Sequence, residues 1–310
     1  MTLGMTDYAI YDVFTGTALA GNPLAVVFDA DHYSGDRMQA IAREFNLSET
    51  VFVLKPENPA HTARLRIFTP ARELPFAGHP TVGAAVALAD RRLGADVPAN
   101  GIDLVKMLEE EIGQVRCAVR ISAGQAGFAE FDLPKLSRNL GADIEPADIG
   151  LALGLDPHEI GFENHKISLW SAGVPFVLVP VHDQAAVAKA ECNGADWDRV
   201  APMGDGQLAS AYVYCRGGTH HQASFHARMF APGEGIGEDP ATGSAAAALS
   251  GAIHHFDGLR EGNHALLIEQ GVEMGRPSLI HLHIACRGAE VSHVRIGGEA
   301  VRISEGKLLV

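Results

Sequence analysis

Three short blocks occur twice in this chain, in the same order. Gly21-Asn22-Pro23-Leu24, followed by apolar residues, returns as Gly173-Val174-Pro175-Phe176-Val177-Leu178. Arg66-Ile67-Phe68-Thr69-Pro70 returns as Arg228-Met229-Phe230-Ala231-Pro232, and His79-Pro80-Thr81-Val82-Gly83-Ala84-Ala85 as Asp239-Pro240-Ala241-Thr242-Gly243-Ser244-Ala245. Each copy of the third block runs on into an Ala-rich helical pattern. Two copies point to two similar domains rather than a solenoid, which needs more repeats. A chain of 310 residues is long enough to give each domain its own core. The regular pattern breaks after a strand over 126–131, where Asp132-Leu133-Pro134-Lys135 opens a Ser-, Asn-, Gly- and Pro-containing stretch that lasts to Pro146. The break falls well short of mid-chain, so the C-terminus is expected to return to the first domain. The expected N-terminal domain is residues 1–131 plus 292–310, and the C-terminal domain is 132–291. The tail, 294–303 with Gly297-Gly298 at its centre, reads as a tight hairpin.

Local patterns predict strands over 9–14, 24–28, 50–54 and 63–68, and helices over 36–45 and from about Pro80 to Asp90. Met38, Ile41, Ala42 and Phe45 share a helical face, with Ser34 or Asp36 available as a cap. Asn46-Leu47-Ser48-Glu49 reads as a polar bend before a strand that begins at Thr50.

Composition removes several classes of partner. With 38 Asp+Glu against 24 Lys+Arg, the formal net charge is −14, which argues against nucleic acid and against an anionic membrane surface. The apolar runs are too short to span a bilayer, and no Lys or Arg precedes Arg37 to form a basic leader. Cys117, Cys192, Cys215 and Cys286 are scattered without a Cys-x-x-Cys pair and read as reduced structural thiols. A soluble cytoplasmic protein is expected.

The third repeated block has a chemical logic of its own. Proline suits the first turn of a helix, so Pro80 and Pro240 would sit there, with His79 and Asp239 as the caps. The first backbone N–H groups of a helix lack intrahelical partners and carry the positive end of its dipole. Gly83 or Gly243, having no side chain, would let a ligand come close. Each half therefore offers an anion site at a helix N-terminus. Two such ends facing across a cleft would hold a small carboxylate. Asp239 alone reads more readily as an ordinary cap. An imidazole at His79, titrating near neutrality, suits proton transfer. Other candidates fall away. Gly233-Glu234-Gly235-Ile236-Gly237 lacks dinucleotide-loop spacing, and Gly243-Ser244-Ala245 is no nucleophile elbow. His281 and His283 share a strand face but have no third ligand at a diagnostic spacing, so no metal is expected. His220-His221, His226 and His254-His255 read as loop or surface residues, and Glu109-Glu110-Glu111 as a solvated face.

Asp12-Val13-Phe14-Thr15 with Gly21-Asn22-Pro23, Asn46-Leu47-Ser48-Glu49-Thr50, Phe68-Thr69-Pro70, Glu73 to Thr81, Gly237 to Ala245 and Gln270 to Ser278 together resemble the PhzF family, named for a phenazine biosynthesis isomerase. The likeness runs from residue 8 into the tail. It implies a diaminopimelate-epimerase-like α/β (α+β) fold: two pseudo-symmetric domains, each a sheet wrapped around a central helix, with a cleft between. It also implies a cofactor-free isomerase that shifts a proton on a small carboxylic acid, cyclic ones included. By motif, Glu49 would be the principal acid/base, a role that its own surroundings in the sequence do not reveal. His79 and Asp239 would orient substrate or relay a proton, and Gly78, Gly243, Ser244 and Asn22 would bind it. Related diaminopimelate epimerases use one cysteine from each half; neither block here has one, so a two-thiol racemase is disfavoured. An epimerase or dehydratase on the same scaffold, a non-catalytic binding protein and a dehydrogenase are the alternatives. The last is weakened by the missing nucleotide loop. Family likeness favours a homodimer.

Overall fold

In the computed structural model, which describes residues 5–142 and 144–310, the chain divides into two units. One is made of the described residues through Pro134 together with Gly297–Val310, the other of Lys135–Ile296.

The first unit opens with β1 (Thr6–Val13) and β2 (Asn22–Val27), paired antiparallel. Helix α1 (Gly35–Phe45) crosses to β3 (Glu49–Leu54), parallel to β2. Ser34 caps α1 by accepting from the Arg37 N–H, and Met38, Ile41 and Ala42 pack with Val27, Phe52 and Phe68. Next come β4 (Ala63–Phe68), the short β5 (Glu73–Leu74) and helix α2 (Gly78–Leu93). A meander of β6 (Ile102–Glu110), β7 (Gly113–Ile121) and β8 (Gly127–Asp132) follows, with β6 parallel to β4. The C-terminal strand, Glu290–Leu308, pairs with both β8 and β1 and closes the sheet on itself. α2 runs inside this closed sheet and touches β1, β2, β3, β6, β7 and β8. Every residue from Gly78 to Ala87 is buried, as a helix surrounded by sheet requires.

The second unit repeats this order. β9 (Arg138–Asn139) and α3 (Pro146–Leu153) lead to β10 (Ser168–Ser171) and β11 (Pro175–Pro180), an antiparallel pair. Helices α4 (Gln184–Lys189) and α5 (Gly194–Val200), then the small hairpin of β12 (Met203–Gly204) and β13 (Gln207–Leu208), cross to β14 (Ser210–Arg216), parallel to β11. β15 (Phe225–Ala231), β16 (Ile236–Asp239) and α6 (Gly243–Asp257) follow, and then β17 (Gly262–Gln270) and β18 (Ser278–Arg287) before β19 (Glu290–Leu308). β17 is parallel to β15, as β6 is to β4. The sequence blocks thus mark equivalent places: strand starts at Asn22 and Pro175, and arginine-bearing strands at Arg66 and Arg228. The fold is a mixed α+β, pseudo-symmetric pair of sheet-wrapped helices.

One expectation fails here. The tail is no hairpin: β19 continues straight through Gly297-Gly298, and its second half pairs with β1 from Val13↔Ala300 to Thr6↔Leu308. The glycine serves strand approach instead of a turn, because a Cβ on Gly297 would lie 2.6 Å from the Glu130 Cβ. Gly83 is likewise not a ligand platform. A Cβ there would lie 2.5 Å from Leu24 Cδ2 and 2.8 Å from Val13 Cγ2, so this glycine lets α2 lie close on β1 and β2. Among the described residues no helix is long and apolar enough to cross a membrane.

Candidate active site

Two left-handed residues deliver the polar cluster of the first unit. Gly21 turns at φ +65°, where a Cβ would lie 2.4 Å from the Val13 carbonyl oxygen, so only glycine can lead the chain back into β2. Asn22, the first residue of β2, is fully buried as a result. Asn46, at φ 52°, ends α1. The next strand then starts at Glu49, one residue earlier than expected, beside Leu24 of β2. Parallel pairing so brings the starts of β2 and β3 to one edge, against which α2 packs.

His79 is the second residue of α2 and not its cap; the cap position is Ala77, which has no side-chain acceptor to offer. Its imidazole is 4% exposed and the Glu49 side chain 12%. His79 Nδ1 lies 3.4 Å from Asn22 Nδ2, and its Nε2 lies 3.4 Å from Glu49 Oε2. Both distances exceed those of well-formed hydrogen bonds. With the Asn22 amide donating to Nδ1, the neutral ring carries its proton on Nε2, toward Glu49. Burial pushes the imidazole down to about 3, so it is neutral near pH 7. Glu49, His79 and Asn22 are therefore brought together, with Gly78 as the first residue of the helix that carries His79.

Glu110, taken from the sequence as solvated, lies under the same helix. It is 7% exposed, and its Oε1 is 2.9 Å from Thr81 Oγ1, which in turn donates to the Ala77 carbonyl at 2.7 Å. Burial raises its carboxyl to about 8. Its inward direction follows from the alternation of β6, which buries Lys106, Leu108 and Glu110 on one face. Glu109 points the other way and is also engaged, accepting the N–H groups of Glu57 and Asn58 and contacting His61 Nδ1 at 2.7 Å.

The corresponding segment of the second unit differs locally. α6 begins at Gly243, with Thr242 at the cap position, so Asp239 ends β16 and Pro240 lies before the helix. Asp239 is not the cap. Thr242 makes no cap bond to its own helix; its hydroxyl donates to Asp239 Oδ2 at 2.5 Å. The helix is thus delayed relative to α2. Gly243 and Ser244 are its first two residues, and neither Ala77 of α2 nor Thr242 of α6 makes a side-chain cap bond to its helix. Gln270, at the end of β17, is fully buried and reaches back to this segment. Its Nε2 donates to the Asp239 carbonyl at 2.8 Å and to Thr242 Oγ1 at 3.0 Å, while its Oε1 accepts from the Thr242 N–H and the Tyr212 hydroxyl at 3.2 Å each. Gln270 and Thr242 carried no assigned role in the sequence. Their only signal was membership of a recognised block, since the contact joins positions 28 residues apart.

His226 is a further correction. It is buried on β15, with Nδ1 2.7 Å from Glu269 and Nε2 2.8 Å from Glu273. These two carboxylates raise its imidazole despite the opposing effect of burial. The resulting clamp holds both ends of the turn that follows Gln270. His281 and His283 lie on the half-buried face of β18, as expected. Among the described residues, no group of three or more His, Cys, Asp or Glu side chains is placed to hold a metal ion. All four cysteines are free, and Cys117, Cys215 and Cys286 are buried.

Residues 11–306 match the model of the PhzC-PhzF family, described as phenazine biosynthesis-like protein. An uncharacterized isomerase of Mesorhizobium japonicum is 54% identical over 305 residues, 98% of this chain and 99% of that protein. The trans-2,3-dihydro-3-hydroxyanthranilate isomerase of Pseudomonas aeruginosa is 34% identical over 98% of this chain and 99% of its own length. In fold, the chain is similar to a PhzF-family phenazine biosynthesis protein of Bacillus anthracis, with a TM-score of 0.86, 24% identity, and coverage of 99% and 100% of the two chains. It is also similar to a hydroxyproline epimerase of Agrobacterium vitis, at TM-score 0.66 and 14% identity, covering 99% and 92%.

Proposed function

We propose a proton-shift reaction from one premise: the chain belongs to the phenazine biosynthesis-like PhzC-PhzF family and is an isomerase. The observation that carries the reading is the buried, neutral His79 imidazole 3.4 Å from the Glu49 carboxylate. Glu49 takes a proton from a carbon beside an unsaturated system, so that a C–H bond breaks and an O–H bond forms on the carboxyl. The electron pair shifts along the unsaturated system, and the proton returns to a different carbon. His79, with its proton on Nε2, steadies the charge that develops and holds the Glu49 oxygen in place. A neutral ring suits this task, since a buried imidazolium would bind the carboxylate too firmly to let it act as a base.

The same reading gives the substrate a carboxylate. In the first unit the start of α2 at Gly78, with Asn22 beside it, and in the second unit the start of α6 at Gly243 and Ser244, with Asp239 before it, are each suited to bind an anion, since a helix start offers N–H groups and a positive dipole end. The chemistry asks for no cofactor. The reading also carries a cytoplasmic homodimer, which light scattering on the purified chain tests.

The decisive experiment incubates the protein with trans-2,3-dihydro-3-hydroxyanthranilate, the compound in the name of the Pseudomonas relative, in deuterated water. The expected product has its double bond moved. Glu49→Gln should lose about 10²–10⁴-fold in rate, the usual contribution of a general base. Full activity in Glu49→Gln would refute the role given to Glu49. Deuterium at an inverted but unmoved centre would make the enzyme an epimerase instead.

A further inference from the structure

We infer that Gln270 is a positioning residue for the reaction, acting through Thr242 to keep the Thr242 hydroxyl proton directed at Asp239. The inference rests on the part given to Asp239 in the proposed reaction. Its physical basis is a hydrogen-bond chain whose direction is fixed by the groups themselves. A glutamine amide offers two donors and two acceptor positions. In Gln270 all four are used, by Asp239 O, Thr242 Oγ1, Thr242 N–H and Tyr212 OH. The amide cannot be turned over. Reversal would set its NH2 against the Thr242 backbone N–H and its oxygen against the Asp239 carbonyl, placing donor on donor and acceptor on acceptor. Nε2 therefore donates to Thr242 Oγ1. The Thr242 hydroxyl, having accepted there, gives its own proton to Asp239 Oδ2 at 2.5 Å.

The surroundings keep Gln270 in place. Gly271 turns at φ +77°, and a Cβ on it would lie 2.5 Å from the Pro240 carbonyl oxygen and 2.6 Å from that of Arg276. The turn after β17 is thus seated directly on the Asp239-Pro240 segment, as only glycine allows. Glu269 and Glu273, on either side, are held by His226. Tyr212 on β14, the titratable neighbour of Asp239 across the sheet, is fully buried and keeps its proton because burial and Asp239 both push its phenol far up. Arg228 on β15 is turned to Glu238 through two bonds of 2.8 Å each. What Asp239 receives from Gln270 is therefore orientation: one oxygen held by a hydroxyl donor, the backbone carbonyl held by the amide.

The test uses protein labelled with 13C at the aspartate side-chain carboxyl, the Asp239 signal being identified by its loss in Asp239→Asn. Thr242→Val should raise the apparent pKa of Asp239 by about one unit, because a donated hydrogen bond favours the charged form. Thr242→Ser, which keeps the hydroxyl, should stay near wild type. Gln270→Leu should raise it less than Thr242→Val and add nothing in the Thr242→Val background. With trans-2,3-dihydro-3-hydroxyanthranilate as probe, Thr242→Val and Gln270→Leu should each lower kcat roughly tenfold with little change in KM, and the double variant should be no slower than Thr242→Val alone. A wild-type Asp239 titration in Thr242→Val, or additive losses in the double variant, would overturn the inference. Should Gln270→Leu not fold, Thr242→Val against Thr242→Ser decides by itself. If Asp239→Asn remained fully active while the Thr242→Val shift was present, the hydrogen-bond chain would stand and the catalytic reading of Asp239 would fall, and the inference with it.

Discussion

The two repeated halves place their polar residues under opposite conditions. Around the start of α6, hydrogen bonds are saturated: Gln270 uses all four positions, and Thr242 accepts and donates at once. Around the start of α2, they are not. Among the described residues, His79 Nε2, Thr50 Oγ1 and Glu110 Oε2 are buried without a hydrogen-bond partner, and His79 meets Asn22 and Glu49 only at 3.4 Å. A buried polar atom without a partner costs about 1–3 kcal/mol. Such an arrangement destabilises the resting fold and makes sense where protons must move and a ligand is to supply the missing contacts. The saturated half suits fixed orientation. The repeated motif thus stands in an under-bonded setting in one unit and a saturated one in the other.

The comparison breaks most sharply at Glu49. Glu49→Gln should remove about 10²–10⁴ of the rate while leaving thermal stability within about 0.5 kcal/mol of wild type, since the amide keeps the size and shape of the carboxyl. A stability loss of several kcal/mol would instead mark Glu49 as structural. Next in size is the saturated half. Gln270→Leu strips partners from Thr242 N–H, Asp239 O and Tyr212 OH, and denaturant unfolding should show a loss of about 3 kcal/mol or more. His79→Leu provides the contrast: it removes a buried, under-bonded ring, so unfolding should show no loss or a gain of up to about 1 kcal/mol, with activity falling steeply. Equal destabilisation by both variants would erase the distinction between the halves.

A smaller effect is expected where the halves agree. Gly83→Ala places a methyl 2.5 Å from Leu24 Cδ2, and overpacking of this kind costs about 1–3 kcal/mol. Gly251 stands in the same relation to Trp170, with a Cβ position 2.7 Å from the ring. Thermal melts of both alanine variants should fall together. A neutral Gly83→Ala would return that glycine to the ligand.

Much of this was legible before the structure. Repeats, strand starts at Asn22 and Pro175, and the capped amphipathic α1 follow from local pattern, because alternation and caps are local physics. The chemistry was readable only through the family resemblance. Nothing near Glu49 in sequence distinguishes it from a solvated glutamate; its neighbours His79 and Asn22 arrive through sheet pairing and helix packing. His226 and Glu110 were misread for the same reason, as their burial depends on β15, β17 and α2 rather than on adjacent residues. The delayed start of α6 was hidden because Asp239 matches His79 by motif, whereas Asp239 ends strand β16 and the helix starts at Gly243.

The last prediction concerns pH and asks the loose half to show its protonation directly. Glu110 holds its proton up to about pH 8 in the folded chain, whereas the same group unfolded releases it near 4.5. Folding therefore takes up a proton between these values, and the stability this group contributes, complete below 4.5, is lost as pH rises through 8. His79 acts in the opposite sense. Its imidazole titrates at about 3 when folded and 6.5 when free, so stability is complete above 6.5 and declines as pH falls toward 3. Each slope has a ceiling of about 1.4 kcal/mol per pH unit. Glu110→Gln keeps the shape, keeps a donor for Thr81 Oγ1, and cannot ionise. It should remove the alkaline decline and leave the variant more stable than wild type at pH 9, with the acid limb untouched; His79→Leu should remove the acid contribution and leave the alkaline one. Urea unfolding of the three proteins from pH 4 to 9 reads both slopes. A Glu110→Gln chain that matched wild type at every pH would mean that the carboxyl beneath α2 titrates alike in the folded and unfolded chains, and that its burial does not hold the proton.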